Sequence, residues 1–460
     1  MDFSSANTTL WGPIIQIGFI SGLILLANVL RRKVTIIRKA LIPTAVLAGF
    51  LLLLIRISGI FYIDAVMLEK LTYHALAIGF IAMSLRIPEK NSESTALIGG
   101  KSGALIVSTY LVQAIVGLAV SLGLAYTFMP DIFKASGILL PMAYGQGPGQ
   151  ANNVGTTYEA LGMTGGRTFG LSLAAAGYLC ACTVGVIFLS IYNRKAKVNR
   201  IYEKEDISGS VTIDTFQQPD EIPIAESIDK LSIQCALVAM LYLLTYYATD
   251  GLVKLIGLIA PGATGTVGPL LWGFNFIIGS VVAICCRSVL KSLRSAKIMK
   301  RQYQNNYLLS RISGLAFDVM IVSGIAGINF EDLSGKWIPF ILMAILGAIV
   351  TFIYLLLMCK KLYPDYAYEG FFSMYGMLTG TISSGVLLLR EIDPEFKTPA
   401  ANNLVTGSSF GIIFGAPVLL LVSMAPKSTM MTFIVLGLIV IYLVILLLFM
   451  FQAGKKKKAQ

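Results

Sequence analysis

The sequence predicts an all-α polytopic membrane protein built from two inverted halves. Three observations carry that reading. Of 460 residues, 56% are hydrophobic and only 13% charged, with a mean hydropathy of +0.77; a soluble domain carries about 25% charge. Apolar stretches of about 20 residues recur along the chain, each long enough to cross a bilayer as a helix. One substantial polar linker, Asn193 to Asp229, separates two parts of similar layout. This composition excludes a disordered chain, a nucleic-acid binder built on a basic surface and most soluble enzymes.

The first half, residues 1–192, holds spans at 11–30, 40–57, 71–85, 103–129 and 167–191. The ten residues before Trp11 lack a basic n-region and a small-residue cleavage site, so the first span reads as retained. The second half, residues 230–426, holds spans at 231–249, 265–286, 309–328, 337–359 and 400–424. An eleventh span, 429–451, has no counterpart in the first half. With its basic tail it forms an appendage, residues 427–460.

Two stretches do not fit as simple spans. In 134–161 an apolar arm ends at Gly145-Gln146-Gly147-Pro148-Gly149. In 364–390 the apolar run is expected to break at Gly376-Met377-Leu378-Thr379-Gly380. Lys134 to Tyr144 extends only about 16 Å as a helix, roughly half a bilayer. Each stretch therefore reads as a re-entrant hairpin whose tip stops inside the membrane, where bare backbone must be buried in protein or line a cavity.

Charge tests this layout. With the N-terminus outside and each hairpin returning to its own side, 29 of the 36 Lys and Arg residues fall on the cytoplasmic side. The exceptions are Arg56, Lys70, Lys134, Arg167, Lys254, Lys336 and Lys427. That asymmetry is the positive-inside signal. It accounts for the net charge of +12 and places the C-terminus and the tail Lys455–Lys458 in the cytoplasm. Five spans per half is an odd number, so the halves insert with opposite orientation. Tyr144-Gly145-x-x-x-Gly149 recurs 231 residues later as Tyr375-Gly376-x-x-x-Gly380, inside the second hairpin.

Inverted repeats with broken helices meeting near the midplane are the architecture of secondary transporters. Helix N-termini at a break favour an anion, such as a substrate carboxylate. Carbonyl ends with neutral side-chain oxygens favour a small hard cation such as Na⁺. Candidate ligand groups are Tyr144, Gly145, Gln146, Gly147, Pro148, Gly149, Asn152, Asn153 and Thr156 in the first hairpin. In the second they are Tyr375, Gly376, Thr379, Gly380, Thr381, Ser383 and Ser384, with Asn402 at the following span. Packing of small polar residues between helices is the alternative. A sodium site is expected near Asn152, Thr379 and Ser383. Asp318, the deepest carboxylate, can bind a cation, carry a proton or pair with Arg311. His74 reads as a packed or interfacial histidine. Arg167 and Arg390 either attract an anionic substrate or snorkel to the interface.

Other chemistries lose their machinery. The chain carries no P-loop, HExxH or GxSxG, so no enzyme and no cofactor other than a coupling ion is expected. Gly265-Thr266-Val267-Gly268-Pro269 is similar to a potassium filter, but it occurs once, lacks the aromatic and precedes a full span. The six cysteines read as small buried hydrophobes rather than metal ligands.

The layout resembles the bacterial sodium/glutamate symporters: two inverted five-span halves, a cytoplasmic linker and a glycine-rich re-entrant segment before the fifth span of each half. Gly145-Gln146-Gly147-Pro148-Gly149-Gln150-Ala151 and Tyr375-Gly376-Met377-Leu378-Thr379-Gly380 carry it, and it covers about residues 11–424. The paired glycines of that family are only loosely kept at the tips, and the last span is extra. The resemblance implies sodium-coupled uptake of an amino-acid anion, glutamate, across the inner (plasma) membrane. It also implies a homodimer and an elevator-like movement of the hairpin region. A proton-coupled carrier or exporter of another organic anion is the alternative, and a channel a remote one.

Overall fold

The computed structural model describes residues 2–5, 7–87, 93–196, 230–259, 261, 268, 271–273, 275–393 and 398–452. The described residues form helices and connecting turns only. In order these are α1 (Thr8–Lys33), α2 (Thr35–Lys39), α3 (Thr44–Ser58), α4 (Ala65–Leu85) and α5 (Glu93–Ala125). A 3₁₀ turn, Lys134–Ile138, leads into α6 (Leu139–Tyr144), then α7 (Pro148–Ala160) and α8 (Gly166–Cys180). A π-helical turn, Ala181–Gly185, joins α8 to α9 (Val186–Ala196). Then come α10 (Lys230–Ile259), α11 (Asn275–Ser295), α12 (Asn306–Ala326), α13 (Trp337–Leu362), α14 (Ala367–Thr379), α15 (Ile382–Arg390), α16 (Ala400–Met424) and α17 (Thr429–Gln452).

Ten helices among the described residues are long and apolar enough to cross a membrane, which fits a polytopic membrane protein. Of the eleven expected spans, 40–57 differs. It is the 15-residue α3, about 22 Å long at helical rise, because Pro43 precedes its first turn and Gly59 (φ +70°) ends it. The span expected at 265–286 appears as α11, and Gly265, Thr266, Val267 and Pro269 lie outside the described residues, as do linker residues 197–229 and the tail Lys455–Lys458. α13 shows an outward apolar face. Ile341, Ile345, Ile349 and Ile353, one turn apart, are exposed, while Met343, Gly347, Thr351 and Leu355 are buried. Such a stripe is the reverse of a water-facing helix.

The chain forms two compact units. One comprises Met1–Thr72, Asn91–Ala196 and Ile321–Gln460; the other comprises Tyr73–Lys90 and Lys197–Met320. In the smaller unit, Ile81, Leu85, Val238, Leu241, Ala283 and Leu309 form the core. The carbonyls at the end of α4 have no further helix to bond, and side chains satisfy them. Arg287 donates to Ser84 O (2.9 Å) and Arg86 O (2.8 Å), Gln304 to Leu85 O (3.1 Å), and Asn306 to Ile87 O (2.8 Å). His74 is hydrogen-bonded to Tyr242 Oη at 2.6 Å, as a packed histidine.

In the larger unit α5 is the central helix, packed by α13, α16, α17 and the 3₁₀ arm before α6. Close approach requires glycine at one crossing. A Cβ on Gly137 or Gly117 would lie inside the other's backbone. Gly137→Val is therefore expected to destabilise the protein by about 3 kcal/mol or more. Gly123→Ala, in open space on α5, should be neutral or slightly stabilising. Thermal unfolding of the purified protein in detergent checks both.

The cysteines depart from the expected uniform burial. Cys182 and Cys359 are buried, Cys180 and Cys286 half-buried, and Cys235 and Cys285 exposed; all six are free thiols. Cys235 and Cys285 sit on exposed apolar faces of α10 and α11, where the sequence alone does not tell an outward apolar position from a core one.

Candidate functional site

Two helices of the larger unit are interrupted. The first break, Gly145–Gly147, separates α6 from α7. Gly147 adopts φ +84°, which favours glycine, and Pro148 follows as the first residue of α7, so the helix cannot continue through. The freed groups are partly recovered: Gly145 N donates to Pro141 O (3.1 Å) and Gly147 N to Ala143 O (3.0 Å). The second break falls at the last residue of the stretch Gly376–Gly380 where it was expected. Gly376 to Thr379 are helical, and the chain turns at Gly380 and extended Thr381 before α15. The reason is packing. A Cβ on Gly376 would stand 2.7 Å from Gly385 Cα, so this glycine lets α14 and α15 lie close together rather than turning the chain. The Tyr-Gly-x-x-x-Gly pattern thus spans the first break but only ends in the second.

The two breaks face each other. A Cβ on Gly147 would lie 3.7 Å from Gly380 O and 3.8 Å from Tyr178 Oη. A Cβ on Gly380 would lie 2.9 Å from Ser384 Oγ and 3.1 Å from Tyr178 Cδ1. Gln113 of α5 ties them together. Its Nε2 donates to Leu378 O (2.9 Å), a carbonyl at the end of α14, and to Thr351 Oγ1 (3.0 Å). Its Oε1 lies 2.9 Å from where a Cβ on Gly145 would stand. No expectation named Gln113. The available signal was a primary amide within the apolar run 103–129, an expensive residue there unless it has partners.

Among the described residues, several buried polar atoms around the breaks have no protein hydrogen-bond partner: both amide atoms of Gln150, Gln113 Oε1, Ser172 Oγ, Tyr375 Oη, Thr381 Oγ1 and Ser384 Oγ. Gln150 is 1% exposed. A buried amide left unpaired costs about 1–3 kcal/mol. Such groups in a native fold call for a ligand, ion or water. Both α7 and α15 begin at the breaks, and the first N–H groups of a helix have no intrahelical partner. Together these groups can surround a small polar ligand, with donors for an anion and hydroxyl or carbonyl oxygens for a cation.

The remaining candidates sort by position. Asn152 and Asn153 are buried one turn into α7, their side chains 3.4 Å apart. Tyr144 Oη donates to Ala344 O (2.7 Å), which anchors its ring against Gly177. Thr379 Oγ1 donates to Tyr375 O (2.7 Å). Gln146, Pro148 and Gly149 lie at the first break, and the side chain of Ser383 lies outside the described residues. Thr156 belongs elsewhere. It is two turns along α7 from the break, where its Oγ1 donates to Glu69 Oε1 (3.4 Å). Asn402 is exposed in the first turn of α16, and its buried neighbour Asn403 donates to Tyr366 Oη (2.8 Å).

No protein-family model and no curated protein matches the chain. Its chemistry is therefore argued from these residues.

Arg167, expected as a snorkelling or substrate-attracting residue, is instead an internal tie. Its guanidinium pairs with Glu69 (3.1 Å) and its backbone N–H donates to Glu159 Oε1 (3.0 Å). Asp318 is exposed on α12 within the smaller unit. Among the described residues it forms no ion pair with Arg311, whose guanidinium stacks 4.9 Å above the Tyr307 ring. Seven residues separate Asp318 from Arg311, two helical turns, too far for the short aspartate side chain.

Proposed function

We propose that this chain is a secondary active transporter that couples Na⁺ to uptake of a small anionic amino acid. The observation that carries the reading is the apposition of Gly147 and Gly380. Beside them are the unpaired groups of Gln150, Thr381 and Ser384. In this reading 134–161 and 364–390 are re-entrant hairpins of two inverted repeats, residues 1–192 and 230–426, joined by a cytoplasmic linker. The substrate carboxylate takes the N–H groups that begin α7 and α15. Sodium takes oxygens near Asn152, Thr379 and Ser383. The resemblance to sodium/glutamate symporters supplies glutamate as the first substrate to try, a homodimer as the assembly and an elevator-like movement of the hairpins. The positive-inside count supports an N-terminus outside and a C-terminus in the cytoplasm.

The test is uptake of labelled glutamate into proteoliposomes with and without an inward Na⁺ gradient. Gradient-driven accumulation is expected. Its absence across a panel of amino and dicarboxylic acids would overturn the reading. The carboxylate of Asp318, which forms no ion pair among the described residues, favours one second reading, a proton-coupled carrier of another organic anion. Asp318→Asn should then abolish a pH-gradient-driven component. A sodium-only carrier retains its ion dependence in this variant, with uptake changed less than about threefold.

A further inference from the structure

At the root of the first broken segment the larger unit holds a cavity of about 410 Å³, away from the breaks. Its walls come from the α5–α6 connection, the α7–α8 turn and the start of α13. Gly162 (φ +101°) and Gly335 (φ +75°) set two of the turns that frame it, so fixed backbone shapes its mouth. Phe133, Met163, Phe169 and Pro339 give it an apolar wall. Five polar side chains also line it: Asp131, Ser136, Thr164, Ser334 and Lys336.

Asp131, Ser136 and Lys336 stand out among them. Ser136 is 1% exposed, yet its Oγ has no protein partner. A hydroxyl that buried is normally hydrogen-bonded. The Lys336 ammonium donates to a backbone carbonyl, Asp332 O, at 2.9 Å, which leaves two of its three donors available. Asp131 carries the opposite charge on the same wall, and neither group forms an ion pair among the described residues. A cavity of this size is in the range that holds small molecules. One cation, one anion, the buried Ser136 hydroxyl, two further hydroxyl side chains and an apolar wall suit a ligand with all the complementary features.

We infer that this cavity binds a small amphipathic zwitterion, with its ammonium on Asp131, its anionic group on Lys336 and Ser136, and its apolar part against Phe133, Met163 and Phe169. An α-amino acid with a large apolar side chain has this chemistry, and so does the ethanolamine headgroup of a phospholipid. The site is separate from the one between the breaks and does not depend on the transport reading.

Trp337 is a built-in reporter. It follows Lys336 in sequence and meets Phe340 edge-on at 5.9 Å, and Phe340 meets the cavity residue Phe169 at 6.5 Å. Full-length protein purified in lipid-free detergent is titrated with L-phenylalanine while tryptophan emission is followed. Trp337→Phe identifies the signal. A saturable response is expected, with 3-phenylpropionate and phenethylamine, each lacking one charge, binding at least about tenfold more weakly. Asp131→Asn and Lys336→Met should each weaken binding about tenfold, and Lys336→Arg should restore most of it. In a second arm, native mass spectrometry compares retention of phosphatidylethanolamine and phosphatidylglycerol. Selective retention of the former, lost in both variants, assigns the site to lipid. A response to phenylalanine without that selectivity assigns it to free amino acid. The inference is overturned if neither arm shows binding, or if binding is unchanged in both variants. It is also overturned if binding is lost in Gln150→Leu while Asp131→Asn keeps it, because the ligand then sits between the breaks. An unaltered unfolding temperature of Asp131→Asn and Lys336→Met shows that their losses are not losses of fold.

Discussion

Under the proposed transport function, Gly147→Val is expected to abolish uptake, whereas Gly59→Ala is expected to leave it close to normal. Both positions have positive φ, +84° and +70°. A non-glycine residue there costs about 1–2 kcal/mol of backbone strain whatever surrounds it, and a β-branched one more. The positions differ in what lies beyond the Cα. Gly59 ends α3 in open space, while a side chain on Gly147 points at Gly380 O and Tyr178 Oη. A Cβ alone would make ordinary contact there, but the two methyl groups of valine would take the space between the breaks. The expected loss is a hundredfold or more in uptake rate, about 3 kcal/mol of barrier. Gly59→Ala should lose only about 1 kcal/mol of stability and no transport. Proteoliposome uptake normalised to folded protein, with unfolding temperatures for both variants, reads the contrast. Equal loss in both would assign the effect of Gly147→Val to backbone strain.

Gln150→Leu separates stability from function in opposite directions. The native amide is buried with neither polar atom paired. Replacing it by an apolar side chain of similar size removes a desolvation penalty of about 1–3 kcal/mol from the empty protein. The variant should unfold several degrees higher than the native protein. It should lose uptake by at least tenfold and lose any substrate-induced rise in unfolding temperature. A purely packing residue would give the reverse: lower stability, with transport reduced only in proportion. Unfolding temperatures with and without glutamate and Na⁺, alongside uptake, distinguish the two outcomes.

Much of the helical layout was legible because spans of apolar residues leave a signal that no local detail can erase. The first break was legible too. Gly147 and Pro148 are adjacent, one supplying a conformation and the other removing a donor, and both act within a few residues. The second break was legible only as a five-residue stretch because glycine has two uses that look alike in a sequence. Gly380 turns the chain, while Gly376 makes room for Gly385. Thr156 was grouped with the break because it shares α7 with Asn152 and Asn153, yet its contact is Glu69. Gln113 was missed for the opposite reason, since its partners lie in distant parts of the chain and no periodicity points to them. Arg167 seemed a membrane-surface residue until its two carboxylate partners, Glu69 and Glu159, were placed beside it.

The bond from Gln113 to Leu378 joins groups 265 residues apart. During synthesis α5 and the first broken segment leave the ribosome long before α14 exists. For that interval the amide of Gln113 lacks its acceptor, and Gly145 packs against a half-finished wall. A chain halted before residue 378 would therefore hold the first break without the bond that ties it to the second. The tie between the two broken helices is thus made only late in synthesis, and the space between them takes its final shape last.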